Sequence, residues 1–249
     1  MSGHSKWSTI KRRKGAQDER RGRLFGKLLR AIEVAAREGG PSMEGNMTLA
    51  SAVEKARDAS VPTDNIERAI KRGAGDTGGA RFEEVTYEGY GPGGVAIMIN
   101  ALTDNRNRTG QEIRHTFTRL GGNLGDPGSV AWMFDRKGFL VVDKSTAPDE
   151  EQLLEIITDA GADDLRDSDD QWEIVTASEA FRDVRTALEE AGVPVASAEV
   201  TMLPQTGVPV EREKAGSVLR LVEALDELDD VQAVYSNFDI PEDVLAETG

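Results

Sequence analysis

Three short motifs carry residue types that could do chemistry, and each stands or falls on the context that chemistry requires. Gly89-Tyr90-Gly91-Pro92-Gly93-Gly94 has glycines at the spacing G-x-G-x-x-G. In a dinucleotide site such a loop leads from a strand into a helix whose first amides hold pyrophosphate. Here the apolar run Val95 to Leu102 follows and reads as a strand, and Pro92 removes an amide, so a strand–strand turn is expected. Asp104-Asn105-Arg106-Asn107-Arg108 looks like a calcium loop, but its third position, which must supply an oxygen ligand, is Arg106. Asp167-Ser168-Asp169-Asp170 lacks the ligand and glycine that should follow, and reads as a turn. Arg106 and Arg108 precede a predicted helix N-terminus, where backbone amides favour anions, so they are candidates for phosphate contacts or for pairing with nearby carboxylates.

Other catalytic chemistry finds little footing. The chain has two histidines, His4 and His115, and no cysteine, and no His, Asp and Glu share metal-ligand spacing. No G-x-x-x-x-G-K-[ST] segment is present. His115 reads as a packing or capping residue. The expectation is a protein that is not an enzyme and uses neither metal nor small-molecule cofactor. The remote alternative is a phosphate-binding enzyme built on the glycine turn with the carboxylates Glu83, Glu84, Glu88 and Asp104.

The strongest chemical signal is charge. Residues 2 to 37 contain eleven Lys or Arg against three acids, a net +8, in a chain of 249 residues whose net charge is −15. The remainder therefore carries −23. A basic segment on an acidic body points to a polyanion-binding arm, and nucleic acid is the polyanion expected. The alternatives are a solvated tail, or a segment that folds against its own acidic body. Candidate nucleic-acid-binding residues are Lys6, Trp7, Lys11, Arg12, Arg13, Lys14, Arg20, Arg21 and Arg23, joined by Arg106 and Arg108. Trp7 stands among bases and could stack on unpaired nucleobases, or pin the arm to the body. DNA and RNA both remain open, and no helix-turn-helix signature places a recognition helix.

The elements that must position these residues follow from periodicity. Residues 1 to about 15 have no apolar period and read as a flexible arm. From Gln17, apolar residues Phe25, Leu28, Leu29, Ile32 and Ala36 recur at helical spacing, with Arg20, Arg23, Lys27 and Arg30 mostly off that stripe. Gly39-Gly40-Pro41 ends the helix. Two shorter helices follow, from Met47 and from Thr63, then a glycine-rich linker from Gly73 to Gly79. Strands are expected at Val85 to Tyr87 and Val95 to Leu102, and another with Val130, Trp132 and Phe134 alternating. Thr109 to Glu112 and Thr176 to Glu179 have capping-box spacing. Residues 138–203 read β-α-β-β-α-β, the ferredoxin-like order.

The expected class is α+β, with an N-terminal three-helix domain followed by two α/β domains, at least one ferredoxin-like. The expected division is 1–79, then 80–137 with 204–240, with 138–203 inserted. No run is long and apolar enough for a membrane span, so a cytoplasmic protein is expected.

Gly3-His4-Ser5-Lys6-Trp7, the arm through Arg13-Lys14 and Gln17-Asp18, Tyr87 to Gly94, Asp104 to Arg108 and Gly121-Gly122-Asn123-Leu124-Gly125 together resemble the YebC/PmpR family. The resemblance spans nearly the whole chain. It implies a three-domain α/β protein of the bacterial cytoplasm with a helical N-terminal domain. Members are usually described as probable DNA-binding transcriptional regulators. Mitochondrial relatives act as translational activators, and bacterial members have also been assigned to the ribosome, so the implied partner is DNA or RNA. The family offers no catalytic residue to carry over. Arg12 departs from it, since many relatives have His there.

Overall fold

The structure, a computed structural model, describes residues 18–75, 82–168 and 170–240, with only the backbone of Asp18, Glu19 and Arg20. The arm and most of the predicted linker lie outside the described residues.

Three helices come first: α1 (Asp18–Gly39), α2 (Met47–Asp58) and α3 (Thr63–Gly75). Ile32, Leu49, Val53, Ala56, Ile66 and Ala69 form their shared core. Asn46 ties the first two together: its side chain accepts from the Leu49 amide at 3.0 Å and donates to the Ala35 carbonyl at 2.7 Å. Gly73 lets α3 approach α1, because a Cβ there would lie 2.2 Å from the Glu33 carbonyl.

The first sheet contains β1 (Glu83–Tyr90), β2 (Ala96–Thr103), β3 (Asn123–Leu124) and β9 (Val231–Ser236), in the order β3-β1-β2-β9. Helices α4 (Arg106–Arg119) and α7 (Arg212–Asp226) cover one face. Ile97 and Ile99 of β2 pack there with Ile113, Phe117, Val218, Val222 and Leu225. Ala96 and Met98 point the other way, into a cluster with Val130, Phe134 and Met202. Both faces of β2 are therefore buried, which is why its sequence is apolar save for Asn100 and the terminal Thr103 rather than alternating.

The second sheet has the order β5-β6-β4-β7, from β4 (Phe134–Asp143), β5 (Ala162–Ser168), β6 (Gln171–Ala177) and β7 (Ser197–Pro204). With α5 (Glu150–Asp159) and α6 (Phe181–Glu190) it forms the ferredoxin-like βαββαβ unit, every neighbouring pair antiparallel. The short strands β8 (Val208–Pro209) and β10 (Phe238–Asp239) pair parallel.

Three local expectations are corrected. Helix α4 begins at Arg106 with Asn105 as N-cap, three residues before the expected capping box, and Thr109 turns its hydroxyl inward instead. Thr176 belongs to β6, and α6 starts after Ala180 without a side-chain cap. Ala131–Met133 is a single 3₁₀ turn rather than a strand, leaving Trp132 exposed. In each case tertiary bonding overrode a local signal.

Candidate nucleic-acid interface

Helix α1 sorts its residues by period. Its apolar residues face α2 and α3, while Arg23, Lys27 and Arg30, spaced four and three apart, line one other face. That basic stripe meets Asp226-Glu227-Leu228-Asp229-Asp230, the acidic connection between α7 and β9. Arg23 Nη2 bonds Glu227 at 2.9 Å. Lys27 Nζ donates to the Asp226 carbonyl and lies 3.9 Å from the Asp226 carboxylate. Arg30 donates to the Asp229 carbonyl at 3.1 Å and to Asp230 Oδ1 at 2.9 Å. The stripe therefore folds against the acidic body, one of the readings open from sequence.

Asp230 is the node of this contact. It is 4% exposed and accepts from Arg30 on one oxygen. Its other oxygen meets the hydroxyls of Thr109 and Thr103, at 2.6 and 3.2 Å, and Arg108 Nη2 at 2.6 Å. Burial alone would raise its pKa, but these bonds and the guanidinium charge outweigh burial and hold the carboxyl below its ordinary value. Arg108 also bonds Asp104 at 3.0 Å. The segment Asp104 to Arg108 thus works as a structural clasp between the end of β2 and the acidic connection.

Of the other candidate residues, Arg106 pairs loosely with Glu83 at 3.6 Å and stays largely exposed. Arg21 is exposed, with its guanidinium 5.2 Å from the Phe25 ring centroid. Lys6, Trp7, Lys11, Arg12, Arg13 and Lys14 lie outside the described residues, as does the side chain of Arg20. His115 is exposed rather than packed. Arg114 and Arg119, on the exposed side of α4, have no ion pair among the described residues; they were legible as helix-surface bases but were not singled out. The acidic connection was also missed, although five residues with four acids were there to be read.

A cleft of about 580 Å³ opens beside the clasp, lined by Arg30, Phe82, Asp104, Arg108, Glu112 and Glu227 among others. Its acids outnumber its bases, so it does not suit a phosphate. The carboxylates of the enzyme alternative do not meet there: Asp104 lines it, whereas Glu88 is buried elsewhere. Glu88 accepts from the amides of Gly128, Val130 and Ala131 at 2.6, 2.7 and 2.7 Å. Burial pushes its pKa up, and the three amides more than reverse that. Among the described residues no group of His, Cys, Asp and Glu could hold a metal ion.

The glycine motif is the expected strand–strand turn, with Gly93 and Gly94 at φ +77° and +78°. Gly89 admits Phe117: a Cβ there would lie 2.6 Å from the Asn123 carbonyl and 2.8 Å from the Phe117 ring.

Comparison with known proteins places this geometry among close relatives. Residues 5–76 match the model described as the TACO1/YebC protein N-terminal domain, and residues 82–238 the TACO1/YebC second and third domain. A probable transcriptional regulatory protein of Pelotomaculum thermopropionicum is 55% identical over 96% of this chain and 99% of its own length. One from Geobacter sulfurreducens is 53% identical over 96% of each chain. The crystal structure of a conserved hypothetical protein from Aquifex aeolicus is similar with a TM-score of 0.79 and 49% identity, covering 90% of this chain and 92% of that one.

Proposed function

The chain belongs to the TACO1/YebC family, and from that premise we propose that it is a non-enzymatic regulator of gene expression that binds nucleic acid through its basic N-terminal residues. The cytoplasm is its proposed location; among the described residues no helix is long and apolar enough to cross a membrane. The observation that carries the reading is the division of the N-terminal charge. Arg23, Lys27 and Arg30 are paired with the body, whereas Lys6, Lys11, Arg12, Arg13 and Lys14 form a run without one acid among or between them. Such a run neutralises phosphates and releases their counterions, which gives affinity without base reading. Transcriptional control through DNA is the first form of this proposal, in line with the names of the relatives.

One observation favours RNA as the second form. The basic stripe Arg23, Lys27 and Arg30 of α1 is turned onto the body rather than toward a major groove, and Trp7 among bases suits unpaired nucleobases. Deleting residues 1–17, which precede α1, should abolish most binding to both duplex DNA and single-stranded RNA while leaving the circular dichroism of the folded part unchanged. Parallel titrations of the full chain rank the two ligands. Undiminished affinity in the folded deletion would refute the proposal.

A further inference from the structure

The tie between the three-helix unit and the rest of the chain is ionic where nucleic-acid-binding proteins are cationic. The apolar core of the unit contains no residue of either sheet. Among the contacts that hold α1 to the body are the row Arg23–Glu227, Lys27–Asp226 and Arg30–Asp230 and the guanidiniums of Arg30 and Arg37 over the Phe82 ring at 5.7 and 5.9 Å, with a second tie where Arg185 of α6 meets Glu54 and Asp58 of α2 at 2.9 and 3.4 Å. Carboxylate and carbonyl oxygens from four residues of this connection, Asp226, Glu227, Asp229 and Asp230, face three cations along one helix face. A nucleic-acid backbone presents the same chemistry, anionic oxygens in a row.

We propose that the basic stripe of α1 is a second phosphate-binding surface, and that the acidic connection Asp226 to Asp230 occupies it in the free protein as an intramolecular competitor. This deepens the nucleic-acid reading above and rests on it. Nucleic acid captured by the basic run at residues 6–14 is delivered next to the stripe at high effective concentration, and its phosphates displace the acidic connection. Binding then frees the three-helix unit from the body, and the connection sets a threshold that weak or short ligands do not pass. The Arg23–Glu227 pair is exposed on both sides, and such pairs are weak and screened by salt, so the row can open from that end.

The test uses the full chain. A variant with Asp226→Asn, Glu227→Gln and Asp229→Asn spares the buried Asp230 clasp. Its control, Glu150→Gln, Glu151→Gln and Glu155→Gln on α5, removes equal charge from exposed positions away from α1. Probes are a 20-nucleotide single-stranded RNA and a 20-base-pair DNA duplex, titrated by fluorescence anisotropy at low and moderate salt. The connection variant should bind the preferred probe about 2- to 30-fold tighter at low salt, the factor expected from the two released carboxylate pairs Arg23–Glu227 and Lys27–Asp226, and the control should not. Because the chain has no cysteine, Ser51→Cys on α2 and Thr158→Cys on α5 accept a dye pair, and adding RNA or DNA should lower energy transfer between them. Equal affinity of the parent and the connection variant, with energy transfer unmoved by a bound probe, overturns the competitor. Failure of every protein to bind either probe overturns the nucleic-acid reading itself.

Discussion

Replacing Asp230 by Asn keeps the shape of the clasp and removes its charge, so it measures what the charge contributes. The buried Thr109 hydroxyl loses its bond to a carboxylate, worth about 1.5–3 kcal/mol. The Arg30 pair, a third exposed on the arginine side, adds about 0.2–1 kcal/mol. Arg108 is solvated and adds little, because water takes over its donors. The expected loss is about 2–4 kcal/mol, or a fall in Tm of about 5–15 °C for a chain of this size. The pH dependence supplies a sharper check. The folded pKa of Asp230 is depressed, so its contribution is complete above the ordinary carboxylate value near 4 and is lost as pH falls through the folded pKa. Asn does not titrate, so the parent and variant should differ fully at pH 7 and converge on acidification. Thermal unfolding followed by circular dichroism, from pH 7 down to pH 3, reads both effects. A Tm at pH 7 within 1 °C of the parent, or a gap that persists unchanged at pH 3, would refute the reasoning.

Glu88→Gln turns a three-amide acceptor into a group with an NH₂ facing donors, so about 2–4 kcal/mol should be lost, with faster hydrogen exchange at Gly128, Val130 and Ala131. Gly89→Ala drives a methyl toward the Asn123 carbonyl and the Phe117 ring and should cost about 1–3 kcal/mol in urea unfolding; a neutral result would show that β3 can shift away. Replacing Lys11, Arg12, Arg13 and Lys14 by Ala should make the slope of log K against log salt shallower by about 0.7 per lost contact on single strands and about 0.9 on duplex. Trp7→Ala removes no charge, so it should leave that slope alone and weaken single-stranded RNA more than duplex if the indole stacks.

The order of elements was legible because it is written at short range. The helical stripe from Phe25 to Ala36, the almost continuously apolar run that became β2, and the βαββαβ pattern each depend on residues within a few positions of one another. The glycine motif could be recognised as a turn for the same reason, since the strand after it and Pro92 within it are local facts. Local signals failed where a distant partner bid for the same group. Thr109 has capping-box spacing, but the Asp230 carboxylate, 121 positions away, holds its hydroxyl inside α4. Trp132 alternates as a strand residue should, but Glu88 claims the amides of Val130 and Ala131 and bends that segment into a turn. Charge divides in the same way. The sequence by itself shows a basic segment on an acidic chain, because charge is a property of single residues. Only the tertiary structure assigns Arg30 to Asp230, 200 positions apart, since which charges neutralise one another depends on where the packed cores set them down.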